Sequence, residues 1–204
     1  METIDNVIKQ TTSREMTGLV AASNAEVLGF NPADHWHEKL HDGTLVLIRP
    51  MHKDDAALER DFLERLSPAS ISYRFLGQMN PSDDLIRRMT EIDYTRDAAF
   101  IALRADGAEK KEIGVSRFCT SEDQASCECA VTVSDEWQGR GLGTLLMRHL
   151  IEVARHRGIK RMVSIDMAGN VAMRSLAQNM GFNRKVDLGY PSEVIHTLDL
   201  VNAV

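Results

Sequence analysis

The residues best suited to chemistry lie in one stretch, Cys127 to Thr144. It opens with an acid among small and apolar neighbours, Cys127-Glu128-Cys129-Ala130-Val131-Thr132-Val133, and ends in a glycine-rich turn, Gln138-Gly139-Arg140-Gly141-Leu142-Gly143-Thr144. Glycines at alternate positions let a backbone approach an anion closely. A helix that follows such a turn adds unpaired N–H groups and the positive end of its dipole, so a diphosphate fits. A P-loop is excluded, because Gly143-Thr144 has no lysine between its members. A dinucleotide fingerprint would need its third glycine at Thr144 or Leu146, although Asp166 mimics the acid that holds a ribose; that reading stays open, as does a turn that merely ends a strand.

On a strand, Glu128 shares a face with Ala130 and Thr132, while Cys127, Cys129, Val131 and Val133 take the other. A carboxyl buried there without a partner is costly, and burial raises its pKa. Pairing with a neighbour such as Arg117 is the structural alternative. Cys119, Cys127 and Cys129 are odd in number and lack histidines at ligand spacing, so they read as reduced core thiols. His37 and His41 would share a helical face near His35, but no carboxylate or thiol sits at a clear ligand spacing, so surface or packing roles are expected and no metal.

The elements that must position these residues can be read from periodicity. Leu142, Leu145, Leu146, Leu150, Val153 and Ala154 form one stripe of a helix from Leu142 to Arg157, stopped by Gly158. Before it, Leu45 to Ile48 reads as a strand closed by Pro50, followed by helical regions Asp54 to Leu66, Pro68 to Phe75 and Ser82 to Glu91. Ala98 to Leu103, Glu112 to Phe118 and Ser126 to Val133 read as antiparallel strands joined by polar turns. After the long helix come strand Arg161 to Asp166, helix Val171 to Met180, and strands Lys185 to Leu188 and Val194 to Leu200. A meander that passes into a βαβ unit implies a mixed, mostly antiparallel sheet with helices on both faces. Residues 1–43 read as an N-terminal arm, partly helical or mobile, and residues 44–204 as the folded domain.

Composition agrees with one globular domain: 204 residues, 43% hydrophobic and 26% charged. No apolar run approaches the roughly 18 residues of a membrane span. Met1 to Gln10 has no basic stretch leading into an apolar one, so no secretory signal is expected and cytoplasmic residence is the default. With 24 basic against 30 acidic residues, the net charge of -6 opposes a general nucleic-acid role.

Gln138-x-x-Gly141-x-Gly143 after a strand, the amphipathic helix, a further strand, then Asn170 and Gly181-Phe182, resembles the GNAT superfamily of N-acetyltransferases over about residues 44–200. Leu66-Ser67-Pro68, Arg74-Phe75-Leu76, and Cys127-Glu128-Cys129-Ala130 ahead of Asp135-Glu136-Trp137 make it similar to the catalytic domain of bacterial Pat-type protein-lysine acetyltransferases. The resemblance implies acetyl-CoA as acyl donor. Its pyrophosphate would lie on the amides of Gln138, Gly139, Arg140, Gly141, Leu142, Gly143 and Thr144, and its pantetheine along Val131, Thr132 and Val133. Asn170 would contact it, or serve only as a helix cap. Glu128 would be the catalytic base for an amine, which is protonated at neutral pH, and the Val131 N–H would hold the oxyanion. Many members place a tyrosine one helical turn before the Gly-Phe pair; here the residue is Ala177, as in the Pat-type pattern, which leaves the thiolate's proton to water or the outgoing ammonium, with Tyr73, Tyr94, Tyr190 and Ser175 as further candidates. The implied acceptor is a protein lysine, with a small amine such as a polyamine or aminoglycoside as the alternative, or a non-catalytic acyl-CoA sensor. A monomer or homodimer is expected.

Overall fold

The structure, a computed structural model, describes residues 35–77, 79–104, 110–186, 189–190 and 192–201. Its strands are β1 (Trp36–Lys39), β2 (Leu45–Pro50), β3 (Ala98–Arg104), β4 (Glu112–Thr120), β5 (Ser126–Val133), β6 (Arg161–Met167), β7 (Asn183–Val186) and β8 (Glu193–Asp199). The helices are α1 (Ala56–Glu64), α2 (Pro68–Phe75), α3 (Asp83–Thr90), α4 (Leu142–His156) and α5 (Val171–Asn179), with single 3-10 turns at Lys53–Asp55 and Asp135–Trp137.

The strands form one sheet in the order β1-β2-β3-β4-β5-β6-β8-β7. Each neighbouring pair is antiparallel except β5 with β6. That parallel pair is joined by α4, the crossover helix a βαβ unit requires. Burial follows the cover. β3 is buried at every position but its last, as expected for a strand with helices on both faces, whereas β6 and β8 alternate. One core, with Phe100, Phe118, Leu146, Leu150 and Met162, lies under α4 and α5; the other, with Phe62, Met89, Ile101 and Val115, lies under α1, α2 and α3. The Leu142 stripe is the buried face of α4, and Gly158 ends the helix with φ of +73°.

The division expected at residue 43 does not coincide with a structural boundary. Trp36–Lys39 pairs along β2 and is part of the sheet. Its alternating pattern is that of a strand, so the helical face proposed for His37 and His41 does not exist. The strand is fastened to α4: Trp36 stacks on His149 with ring centroids 4.3 Å apart, and Glu38 Oε1 accepts from Arg148 Nη2 at 2.6 Å and lies 2.8 Å from His149 Nε2. The expected strand at Lys185 to Leu188 is displaced to Asn183–Val186, and residues 187–188, like residues 1–34 of the arm, lie outside those described.

Candidate active site

Strands β5 and β6 are paired only from Ser126↔Arg161 to Glu128↔Val163, although β5 runs on to Val133 and β6 to Met167. Beyond Glu128 they diverge and leave a wedge in the sheet. Ser134 donates its N–H to Ile113 O, so alternation directs the peptide groups of Thr132 and Ala130 towards β4 and those of Val133, Val131 and Cys129 towards the wedge. A cavity of about 610 Å³ opens there, lined by Glu128, Val131, Thr132, Val133, Gln138 and Asn170 among others.

At its far end lies the glycine turn. Gly139 and Gly141 have φ of +73° and +92°, a region side chains other than glycine enter only with strain. A Cβ on Gly139 would meet nothing within 4 Å, whereas one on Gly141 would lie 2.7 Å from His41 Nε2. Gly141 caps α4 without a side-chain bond, and the N–H groups of the first turn have no partner farther along the helix, although Thr144 N–H bonds back to Gly141 O at 3.1 Å. This is a cradle for a small polyanion. Its outer rim is held by the β1–β2 turn: His41 N–H donates to Arg140 O at 3.1 Å, and Arg140 pairs with Asp42 at 3.0 Å while its guanidinium covers the Trp137 ring. The Arg140 side chain therefore faces Asp42, and that of Leu142 is sealed in the core; neither side chain lines the cavity, while Gly143 and Thr144 do. Asn170 caps α5 through Oδ1, which accepts from Met173 N–H at 3.0 Å, and among the described residues its amide N–H donors have no acceptor.

Glu128 lies on the face covered by α2 and α3. Burial raises its pKa, opposed by the charge of Arg74 and reinforced by that of Asp166. The suggested pairing with Arg117 is not formed: Arg117 stands across from Ala130, and its Nη2 donates to the Met89 carbonyl. Cys119, directly across the ladder from Glu128, has its thiol pushed up to about 12 by burial and stays protonated.

Three features of the wall were not foreseen. Asp166, noted only as a possible ribose acid, lines the cavity with its carboxyl lifted by burial to about 6 while Ser164 Oγ donates to it at 2.7 Å. Arg74, quoted above only within the Pat-type motif, lines the same space. Asp135 ties the turn to α2: its carboxylate accepts from Ser67 N–H at 2.9 Å, Ser67 Oγ at 2.7 Å and Ser70 Oγ at 2.8 Å. Gln138 Nε2 reaches Val133 O at 3.1 Å beside it. A serine-rich helix start opposite an aspartate is a legible signal, but only once the two are known to meet.

A wedge between parallel strands, a glycine cradle at a helix start and an acid facing the opening form a site whose shape suits an extended ligand with a diphosphate at one end. The model of the acetyltransferase (GNAT) family matches residues 70–182. The chain belongs to that family, and acetyl-CoA is its acyl donor. It is 43% identical over 186 residues to an acetyltransferase of Pseudomonas aeruginosa, covering 91% of this chain and 100% of that one. It is 28% identical to the acetyltransferase Pat of Mycolicibacterium smegmatis over 70% of this chain and 43% of Pat. Among solved structures, the GNAT domain of S. lividans PAT superposes with a TM-score of 0.73 at 26% identity, over 81% of this chain and 96% of that domain. YncA of Salmonella typhimurium, solved with its cofactor acetyl-CoA, shares the fold with a TM-score of 0.62 at 20% identity, over 78% of this chain and 96% of that one. No helix among the described residues is long and apolar enough to cross a membrane.

Proposed function

We propose that the chain transfers acetyl directly from acetyl-CoA to a primary amine, with a protein lysine side chain as the acceptor and the cytoplasm as its setting. The observation that carries this reading is the placement of Glu128, a carboxyl whose pKa burial raises, on the same cavity as the glycine cradle. Bound acetyl-CoA supplies an activated acetyl group. The amides of the turn hold its diphosphate by charge and close approach. Val131 and Val133 turn peptide groups to the wedge, where they pair with an extended amide chain. The Val131 N–H donates to the carbonyl oxygen as it gains charge. Glu128, ionised and poorly solvated, accepts a proton from the incoming ammonium, directly or through water. Ala177 is fully buried at the position of the usual tyrosine, so the chain offers no phenol there; a thiol pKa near about 8.5 makes the thiolate a tolerable leaving group.

The likeness to Pat favours the lysine acceptor. The small-amine alternative draws support from the arginine-lined cavity and from 39% identity over 103 residues to an L-methionine sulfoximine/L-methionine sulfone acetyltransferase of Pseudomonas aeruginosa. Incubation with labelled acetyl-CoA, protein extract and competing small amines decides: label on lysines that small amines do not displace supports the first, and loss of label to a small amine supports the second. Tight acetyl-CoA binding without thiol release under every acceptor would overturn both and leave a sensor.

A further inference from the structure

The charged groups around the cavity are nearly all accounted for. Arg88 pairs with Asp84, Glu91 with Arg87, Asp97 accepts from Thr120 N–H, Asp135 from Ser67 and Ser70, and Asp166 from Ser164. Two guanidiniums are not. Arg74 makes no hydrogen bond or ion pair among the described residues; its contact is with the Phe75 ring, 5.0 Å from the centroid. Arg117 gives Nη2 to the Met89 carbonyl, while its Nε is buried without an acceptor. Neither has a carboxylate within ion-pair distance among the described residues. Glu59 and Glu112, behind Arg117, are fully buried beside each other, and burial holds both carboxyls above the usual range.

Both arginines line the cavity on the face of Glu128. Arg117 is set on β4 opposite Ala130, and Arg74 on α2, which packs over that face. The two cations repel: burial and the nearby Arg117 hold Arg74 down to about 10, against the pull of Glu59 and Glu128, neither of which comes within ion-pair distance. The surrounding wall is apolar, with Phe75, Leu85, Met89 and Ile92. Like charges held together in a poorly solvated space lower their energy most by sharing an anion, and a planar guanidinium fork matches a carboxylate. The donor's diphosphate does not meet this need, because its cradle lies past Val133, beyond the other end of β5.

We propose that the acceptor carries a carboxylate, which Arg74 and Arg117 hold while the amine of the same molecule meets Glu128. The inference rests on the transfer reading above. The carboxylate has two sources: an acidic side chain beside a target lysine, or the carboxyl of a free amino acid.

The test offers wild-type protein and acetyl-CoA a panel of amines in matched pairs: lysine peptides with Glu or Gln before the lysine, and L-amino acids such as leucine with a free or amidated carboxyl. CoA thiol release is followed for each. The best acceptor should be a carboxylate, preferred in kcat/KM by about tenfold or more over its amide, the scale of a charge-assisted pair. In Arg74→Gln the preference should fall to within about twofold, with Arg74→Lys intermediate. Comparing variant with wild type cancels the intrinsic difference in amine basicity, and Arg117→Lys, which keeps the charge and loses the fork, repeats the test should Arg117→Gln unfold. The pair with the larger preference names the source. A best acceptor indifferent to amidation overturns the proposal and spares the transfer reading, as does a preference that survives in Arg74→Gln and Arg117→Lys. So does a rise in KM for acetyl-CoA with the preference intact. Thiol release from no amine, with acetyl-CoA bound, overturns the transfer reading itself.

Discussion

Replacing Asp135 with alanine should loosen α2 and little else. The carboxylate receives three hydrogen bonds from the start of that helix, at 2.9, 2.7 and 2.8 Å. The helix has only eight residues, too few to persist alone, and none of them is fully buried, so its docking depends on such ties. Hydrogen bonds to a charged group are worth about 1.5–3 kcal/mol each when shielded, but Asp135 is exposed, and screening reduces each to about 0.5–1. The sum, about 1.5–3 kcal/mol, corresponds to about a 10- to 100-fold increase in local opening. Amide hydrogen exchange read by segment is the direct assay: residues 71–76 should exchange faster by that factor while β4 and β5 stay unchanged. Asp135→Asn should be intermediate and Ser70→Ala weaker still. Because α2 carries Arg74, the KM for the acceptor should rise more than that for acetyl-CoA. An acceleration below about threefold, or one spread evenly over the chain, would refute the reasoning.

Glu128→Gln should lower kcat by about 10²- to 10⁴-fold while acetyl-CoA affinity, measured by calorimetry, stays the same. Because the base works ionised and burial raises its pKa against the pull of Arg74, kcat/KM should climb with pH through a midpoint above the ordinary glutamate range, and Arg74→Gln should push that midpoint higher. Gly141→Ala should cost about 2–3 kcal/mol in chemical denaturation, since it combines φ of +92° with a Cβ 2.7 Å from His41 Nε2; a loss under about 0.5 kcal/mol would contradict the geometry. Glu112 is raised well above the usual range by burial first and by Glu59 beside it, so the folded chain keeps a proton that the unfolded chain loses. Stability should therefore fall as pH rises from the unfolded glutamate pKa towards the folded one, and Glu112→Gln should flatten that slope in melting curves at pH 5 and pH 8.

What could be read in advance follows the range of the interactions. Helix α4 was legible because its leucines repeat within one element, and the turn because glycines at 139, 141 and 143 have few other uses. The meander β3–β4–β5 was legible because its polar loops are short. Strand β1 escaped because Trp-His-Glu-Lys is four residues long and only its pairing with β2 makes it a strand. Glu128 stood out as an acid in an apolar run, yet its surroundings did not: Arg117, two positions off in register, was the nearer guess, and Arg74, whose charge acts on it, reaches the cavity from a helix far earlier in the chain. Asp135 and Ser67 are 68 positions apart and carry no mark that they meet.

The wedge beside Glu128 has a consequence for how the chain assembles. Strands β1 to β5 are neighbours in space in the order they occur in sequence, and β6 to β8 form a second antiparallel group. The two groups are joined in the sheet by three residue pairs, and closing that junction requires the whole of α4 to form and cross over first. Local pairing is fast and crossover pairing slow, so the junction should be among the last parts of the sheet to register. The same weakness that lets a donor slip between the strands is thus a late folding seam, and a ligand seated across it would act as a fastener for the finished protein.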